Sequence, residues 1–176
     1  MPDPYLEAAL NKIGIAVRYL AKLDKLRDGD ESEREEIQLN YEGVLTSGSS
    51  AGDQLAEAIS QRLSMRLRNP SPERLLESLG EQGRCAGELA PSIELLRAWT
   101  SEAIVVDAHH RRNRAVHHHY KKRPYRPELT WLLDPIQIRG KPSPYQGPLD
   151  VHDYCANYVT ALAKLEEAVR LIEGAG

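Results

Sequence analysis

One line of small and apolar residues constrains this chain more than any other feature, because it keeps helical phase across a stretch that otherwise reads as a loop. Ile37, Tyr41, Val44, Gly48, Ala51, Leu55 and Ala58 recur at the spacing of a single α-helical face. The run "LTSGSSAG" lies inside that line. Glycine and serine at such positions suit a close crossing by a second helix. One long helix reaching about Arg66 is therefore expected, with a break at Ser47 to Gly52 as the alternative. The line ends by shifting one residue over, through Ile59 and Leu63. Ser32 to Glu35 has the S-x-x-E form of a capping box and would open this helix.

The flanking segments follow the same period. Leu6, Leu10, Ile13, Val17 and Leu20 predict a first amphipathic helix over residues 4 to about 27. Ser71 and Pro72 start a short helix that stops by Gly80 or Gly83. Pro91 and Ser92 start the next, with Leu95, Trp99, Ala103 and Val106 on one stripe and no breaker before Pro124. Residues 124–149 are rich in proline and glycine and form a surface excursion with no assigned role, in which "LTWLL" and "IQIRG" are candidates for a small hairpin. Asp150 caps a last helix that turns Tyr154, Tyr158, Leu162, Leu165, Val169 and Ile172 inward. The expectation is all-α: an antiparallel bundle of four main helices plus a short one, in a single domain spanning 1–176.

At 176 residues the chain suits one domain with a core of its own. No apolar run approaches the ~18 residues of a membrane span. The N-terminus "MPDPYLEAAL" lacks the basic start and apolar stretch of a secretory signal. Cys85 and Cys155 are far apart and have no CxxC partner, which fits buried thiols in a reducing cytoplasm. A cytoplasmic protein with no cofactor is expected.

Charge is distributed unevenly. Between Ala108 and Pro127 stand seven Lys or Arg and no Asp or Glu, and since the whole chain carries −3, the remainder carries about −10. Such segregation reads as an electrostatic footprint for an anion, of which nucleic acid is the commonest large example, with a merely exposed basic loop as the alternative. Within this segment "HHRRNRAVHHHY", residues 109–120, holds five of the six histidines. Extending the stripe of Trp99, Ala103 and Val106 along a continuous helix adds His110, Asn113, His117 and Tyr120, so a buried line would turn polar at its end. Buried polar groups need partners, and a polar end to a core stripe suggests a cleft or an interface.

Arginine and histidine together suit cleavage of RNA by its own 2′-hydroxyl. A histidine can take the hydroxyl proton or protonate the leaving oxygen. A guanidinium can grip the phosphate through two hydrogen bonds and stabilise the charge of the transition state. The nucleophile belongs to the substrate, so this chemistry requires no metal and no Ser or Cys. Arg112 and His117 diverge by roughly 140° on one rigid helix. Serving one phosphate would need a wrapped Arg side chain, a kink, or a second subunit.

Arg112-Asn113-x-x-x-His117 resembles the R-x(4–6)-H signature of HEPN-domain ribonucleases, including the polar residue after the arginine. His118-His119-Tyr120 further resembles the H-x-Y ending of HEPN toxins that pair with nucleotidyltransferase antitoxins, although five residues rather than four separate Arg112 from His118. The resemblance implies a metal-independent endoribonuclease of the toxin or antiviral-defence type. It implies a homodimer with a composite site, RNA as substrate, and a cognate antitoxin or nucleotidyltransferase as a further partner. Arg112, Asn113 and His117 become the catalytic candidates, with His118 and Tyr120 as further ones. Arg111, Arg114, Lys121, Lys122, Arg123 and Arg126 become the contacts to the RNA backbone. Tyr125 is placed to stack on a base, and Trp131 to pack the excursion against the bundle.

Three other readings compete. Arg111, Arg112 and Arg114 would complement the dipole at a helix C-terminus, with the histidines simply solvated. A metal site on His110 with His117, or on His109, would need carboxylates from elsewhere, of which Asp107 is one; the His152-Asp153 pair suggests a metal phosphohydrolase, but no Asp follows it to complete the ligand order. The last alternative is a non-catalytic HEPN-like module that binds RNA, nucleotide or protein.

Overall fold

The computed structural model describes residues 3–27, 33–82, 87–117 and 132–174, with side chains for all of them except 82 and 114–117. The described residues are mostly helical, with one short hairpin: α1 (Pro4–Lys25), α2 (Arg34–Arg62), α3 (Pro72–Gln82), a 3-10 turn (Gly87–Leu89), α4 (Ala90–Ser101), α5 (Ala103–His117), β1 (Gln137–Ile138), β2 (Lys141–Pro142), α6 (Val151–Ala161) and α7 (Ala163–Gly174). No helix among the described residues is long and apolar enough to cross a membrane.

Helix α2 is the axis of the molecule. It runs unbroken through "LTSGSSAG", and every residue of the predicted line is buried. It packs along α1 and also touches α3, α5, α6 and α7. Its glycines make that possible. A Cβ on Gly43 would lie 2.6 Å from the Tyr19 ring, one on Gly48 2.5 Å from Tyr158, and one on Gly52 2.8 Å from Trp99. Three aromatic rings from three other helices thus sit directly on the α2 backbone. The helix stops at Arg62, short of Arg66, where Ser64 adopts a positive φ of 54°. Its N-cap is Glu33, without a side-chain cap bond, and Ser32 of the expected capping box lies outside the described residues.

Helix α1 begins as its sequence suggests, with Pro4 in the first turn and the Asp3 carboxylate accepting from the Tyr5 amide at 3.0 Å. Its buried face is Leu6, Ala9, Ile13, Ala16 and Leu23, while Val17 is 47% exposed. The alanines win that face because they admit α2 at short range, and Val17 is displaced to solvent. Gly14 has nothing within 4 Å of a would-be Cβ. Gly14→Ala is therefore expected to stabilise the fold by about 0.5–1 kcal/mol through helix propensity, read as a raised urea midpoint.

The predicted helix from Pro91 to Pro124 is in fact two. Glu102 is extended, at φ −64° and ψ 134°. No proline or glycine causes this. The Thr100 and Ser101 hydroxyls donate to the carbonyls of Arg97 and Ala98, each at 2.9 Å, as α4 closes. Glu102 then accepts the first backbone bond of α5, from Val106, and its side chain is held by Lys164 of α7. The break resets which face of the following helix is buried.

In the last region Asp150 accepts from the amides of His152 and Asp153, as an N-cap should. The inward residues Tyr154, Tyr158, Leu162, Leu165, Val169 and Ile172 are all buried. A turn at Leu162 divides the segment into α6 and α7. The hairpin differs from expectation. Ile138 pairs with Lys141 across Arg139 and Gly140, both at positive φ, while Leu132 bridges to Asp150. "IQIRG" therefore turns back on its own continuation, because Gly140 and its neighbour supply the left-handed backbone a two-residue turn requires.

Candidate functional site

The buried face of α5 is Ile104, Val105, Asp107 and Ala108. This is not the continuation of the Trp99 stripe, because the extended residue at 102 intervenes. His110 and Asn113, expected on the core line, are half-buried. The polar group the core does receive is Asp107, 1% exposed. Its carboxylate accepts from Ser143 Oγ, from Tyr154 Oη at 2.7 Å and from Arg111 Nε at 2.5 Å. Asp107 is thus committed to three partners inside the protein, not free as a metal ligand.

Arg111 was expected on the nucleic-acid surface, and the structure places it elsewhere. Its side chain is only 8% exposed, and its second donor group reaches the Asp134 carbonyl at 2.9 Å. The guanidinium also lies 5.2 Å from the centre of the Tyr154 ring. Burial opposes its charge, but Tyr41, Asp107 and Tyr154 outweigh that and hold it charged. Burial and the neighbouring Asp107 in turn push the Tyr154 phenol well up. The physical reason for the displacement is periodic: Asp107 and Arg111 are one turn apart on the face that the break at Glu102 turns inward. Together with Ser143 they fasten the 132–149 excursion to the bundle.

Arg112 sits on a different face, half-buried, where α5 meets α2. Its Nε is buried and has no hydrogen-bond partner. The charge acts on two groups of that interface. Burial pushes the Asp53 carboxyl up, with Glu73 adding to the effect, while Arg112 and His109 pull it down. Burial also raises the Tyr158 phenol to about 12, against the opposing pull of its bond with Ser49 and of Arg112. His110 is pushed below the usual imidazole range by burial, His109 and Arg139, with Asp107 opposing. The two adjacent histidines meet edge to face, their ring centres 6.3 Å apart.

Of the expected site, Arg112 and Asn113 are half-buried on α5, and His117 and Arg114 are placed by backbone alone, His117 as the last residue of that helix. His118, Tyr120, Lys121, Lys122, Arg123, Tyr125, Arg126 and Trp131 lie outside the described residues. Of two groups near Arg112, His109 was weighed from sequence only as a metal ligand, and Asp53 was not singled out. His109 was legible as the residue one turn before Arg112. Asp53 was not, because only packing brings the middle of α2 to α5.

One group of metal-type donors occurs among the described residues: Asp150, His152 and Asp153, whose ligand atoms lie within 4.8 Å of one another. All three have other duties. Asp150 caps α6, and His152 contacts Asp24 through Nε2 and Asp153 through Nδ1. Asp153 also pairs with Arg27. The arrangement reads as a cap joined to a surface ion-pair chain that ties α6 to the end of α1. Comparison with protein-family models, with curated proteins and with solved structures finds no match to this chain.

Proposed function

We propose that the protein is a cytoplasmic, metal-independent endoribonuclease of the HEPN type, acting as a toxin or defence factor. Arg112 binds the scissile phosphate, His117 transfers the proton and Asn113 orients one of them. The O2′ of the substrate attacks phosphorus, the P–O5′ bond breaks, and the products carry a 2′,3′-cyclic phosphate and a 5′-hydroxyl. Two copies bring their signature helices together, since Arg112 and His117 diverge on a single helix. Arg114, Lys121, Lys122, Arg123 and Arg126 guide the RNA backbone. Arg111 leaves that set, because its charge is matched by Asp107.

The observation that carries this reading is Arg112 itself. Of the two adjacent arginines, Arg111 is neutralised internally, whereas the Arg112 Nε has no partner in the fold. With no ion pair inside the fold to match it, the Arg112 guanidinium is the one of the two that suits a phosphate. A second reading, a binding module without cleavage, draws on the half-burial of Arg112 beside Asp53.

The test is cleavage of total RNA by purified protein in EDTA. Wild type is expected to cut. Arg112→Ala and His117→Ala are expected to lose about 10²–10⁴-fold in rate, as removal of a phosphate clamp or proton-transfer group does. Loss in His118→Ala with activity kept in His117→Ala would move the proton transfer one residue along. Activity abolished by EDTA would refute the metal-free mechanism. Salt-sensitive RNA binding without cleavage would favour the binding module.

A further inference from the structure

We infer that the solvent face of α1 is a self-association surface, on which α1 of a second copy of this chain packs antiparallel with Gly14 at the crossing. The inference stands apart from the ribonuclease reading, whose two copies meet through α5.

Helical spacing makes the face. Glu7, Asn11, Gly14, Arg18, Ala21 and Lys25 follow one another by four and three residues, and all six are exposed. Along one edge run Leu10, half-buried, and Val17, 47% exposed. A single exposed apolar residue is ordinary on a protein surface. The glycine is less so, because glycine inside an exposed helix is destabilising relative to alanine. Among the described residues nothing lies within 4 Å of a would-be Cβ on Gly14. Elsewhere in this fold such a position is filled: Gly43, Gly48 and Gly52 of α2 each carry an aromatic ring directly on the backbone. Gly14 and Ala21 leave the α1 backbone open to an equally close approach.

Charge decides the occupant. Glu7 lies in the first turn of α1, whereas Arg18 and Lys25 lie in its second half. Among the described residues none of these three has an ion-pair partner. A second α1 laid antiparallel about a two-fold at Gly14 comes with its Ala21 level with Glu7, since each is seven residues from Gly14. At about 1.5 Å of rise per residue, the second copy's Arg18 and Lys25 then lie about 4.5 Å and 6 Å along the axis from Glu7. Both long side chains span that offset, and the two-fold makes every such pair twice. The same operation brings like flanks together, so Leu10 meets the second copy's Val17 and the apolar edge is covered. Parallel packing would instead set Glu7 against Glu7 and Arg18 against Arg18.

Sedimentation equilibrium of the full chain over a range of concentrations tests this, with oxidation of Gly14→Cys as a second measurement. Wild type is expected to dimerise reversibly, and less tightly as salt rises. Glu7→Lys should weaken dimerisation at least about tenfold, and so should Arg18→Glu with Lys25→Glu, because like charges then face each other. Combining all three reversals should restore it. Position 14 faces its own copy across the two-fold, so Gly14→Cys should give a disulfide-linked dimer that neither wild type nor Arg97→Cys, exposed on α4, gives. A chain that stays monomeric at every concentration would overturn the inference. A dimer indifferent to the charge reversals would also overturn it and place the contact on another face, α5 included. Failure of Gly14→Cys to link while it dimerises would refute the crossing at Gly14.

Discussion

Asp107→Ala is expected to destabilise the protein by about 3–5 kcal/mol, the range found when one partner of a buried ion pair is removed. For a chain of this size that corresponds to a fall in Tm of roughly 6–20 °C. The substitution removes one carboxylate and strands three groups at once: the Arg111 guanidinium, the Tyr154 hydroxyl and the Ser143 hydroxyl. Arg111 is the costliest of them, since its side chain is nearly inaccessible and its charge would have only the Asp134 carbonyl and the Tyr154 face left. Thermal and urea unfolding measure the loss. If it stays under about 1 kcal/mol, the network is a surface pair in effect and Arg111 becomes available to a ligand after all. Arg111→Met in the Asp107→Ala background should recover part of the stability, because an apolar side chain replaces an unpaired buried charge.

Gly48→Val is expected to cost about 1–3 kcal/mol or more, the range for overfilling a packed interior. A Cβ at this position would meet the Tyr158 ring at 2.5 Å and its hydroxyl at 2.8 Å. The ring has nowhere to go. Tyr158 is 1% exposed and its hydroxyl is within 3.4 Å of Ser49, so clearance requires α2 and α6 to move apart. The contrast with Gly14→Ala is the useful control, because there a side chain meets empty space and the sign of the effect reverses. Equal and small effects at both positions in urea unfolding would show that the α2–α6 contact is looser than drawn.

Much of the architecture was legible before any coordinates. The line from Ile37 to Ala58 is buried throughout, and the last six inward residues from Tyr154 to Ile172 are buried without exception. The cap at Asp150 holds where the sequence places it. The candidate site was read less well. Arg112 and Asn113 were correctly set on a helix at the end of an apolar stretch, but their neighbours were not. His110 and Asn113 do not continue the core stripe, and Arg111 is an internal ion-pair partner rather than a surface cation.

The difference has one physical origin. Helical period, caps and breakers are properties of a few consecutive residues, so the sequence by itself determined the all-helical character, most helix starts and the small-residue seam of α2. Which face of a helix is buried depends on what packs against it. At Glu102 nothing local demands a break; the hydroxyls of Thr100 and Ser101 and the pull of Lys164, 62 residues away, make it possible. That break rotates α5, and with it decides that Asp107 and Arg111 face the core while His109 and Arg112 face α2. Only the tertiary structure could bring Asp53 to them, because no spacing along the chain records that meeting.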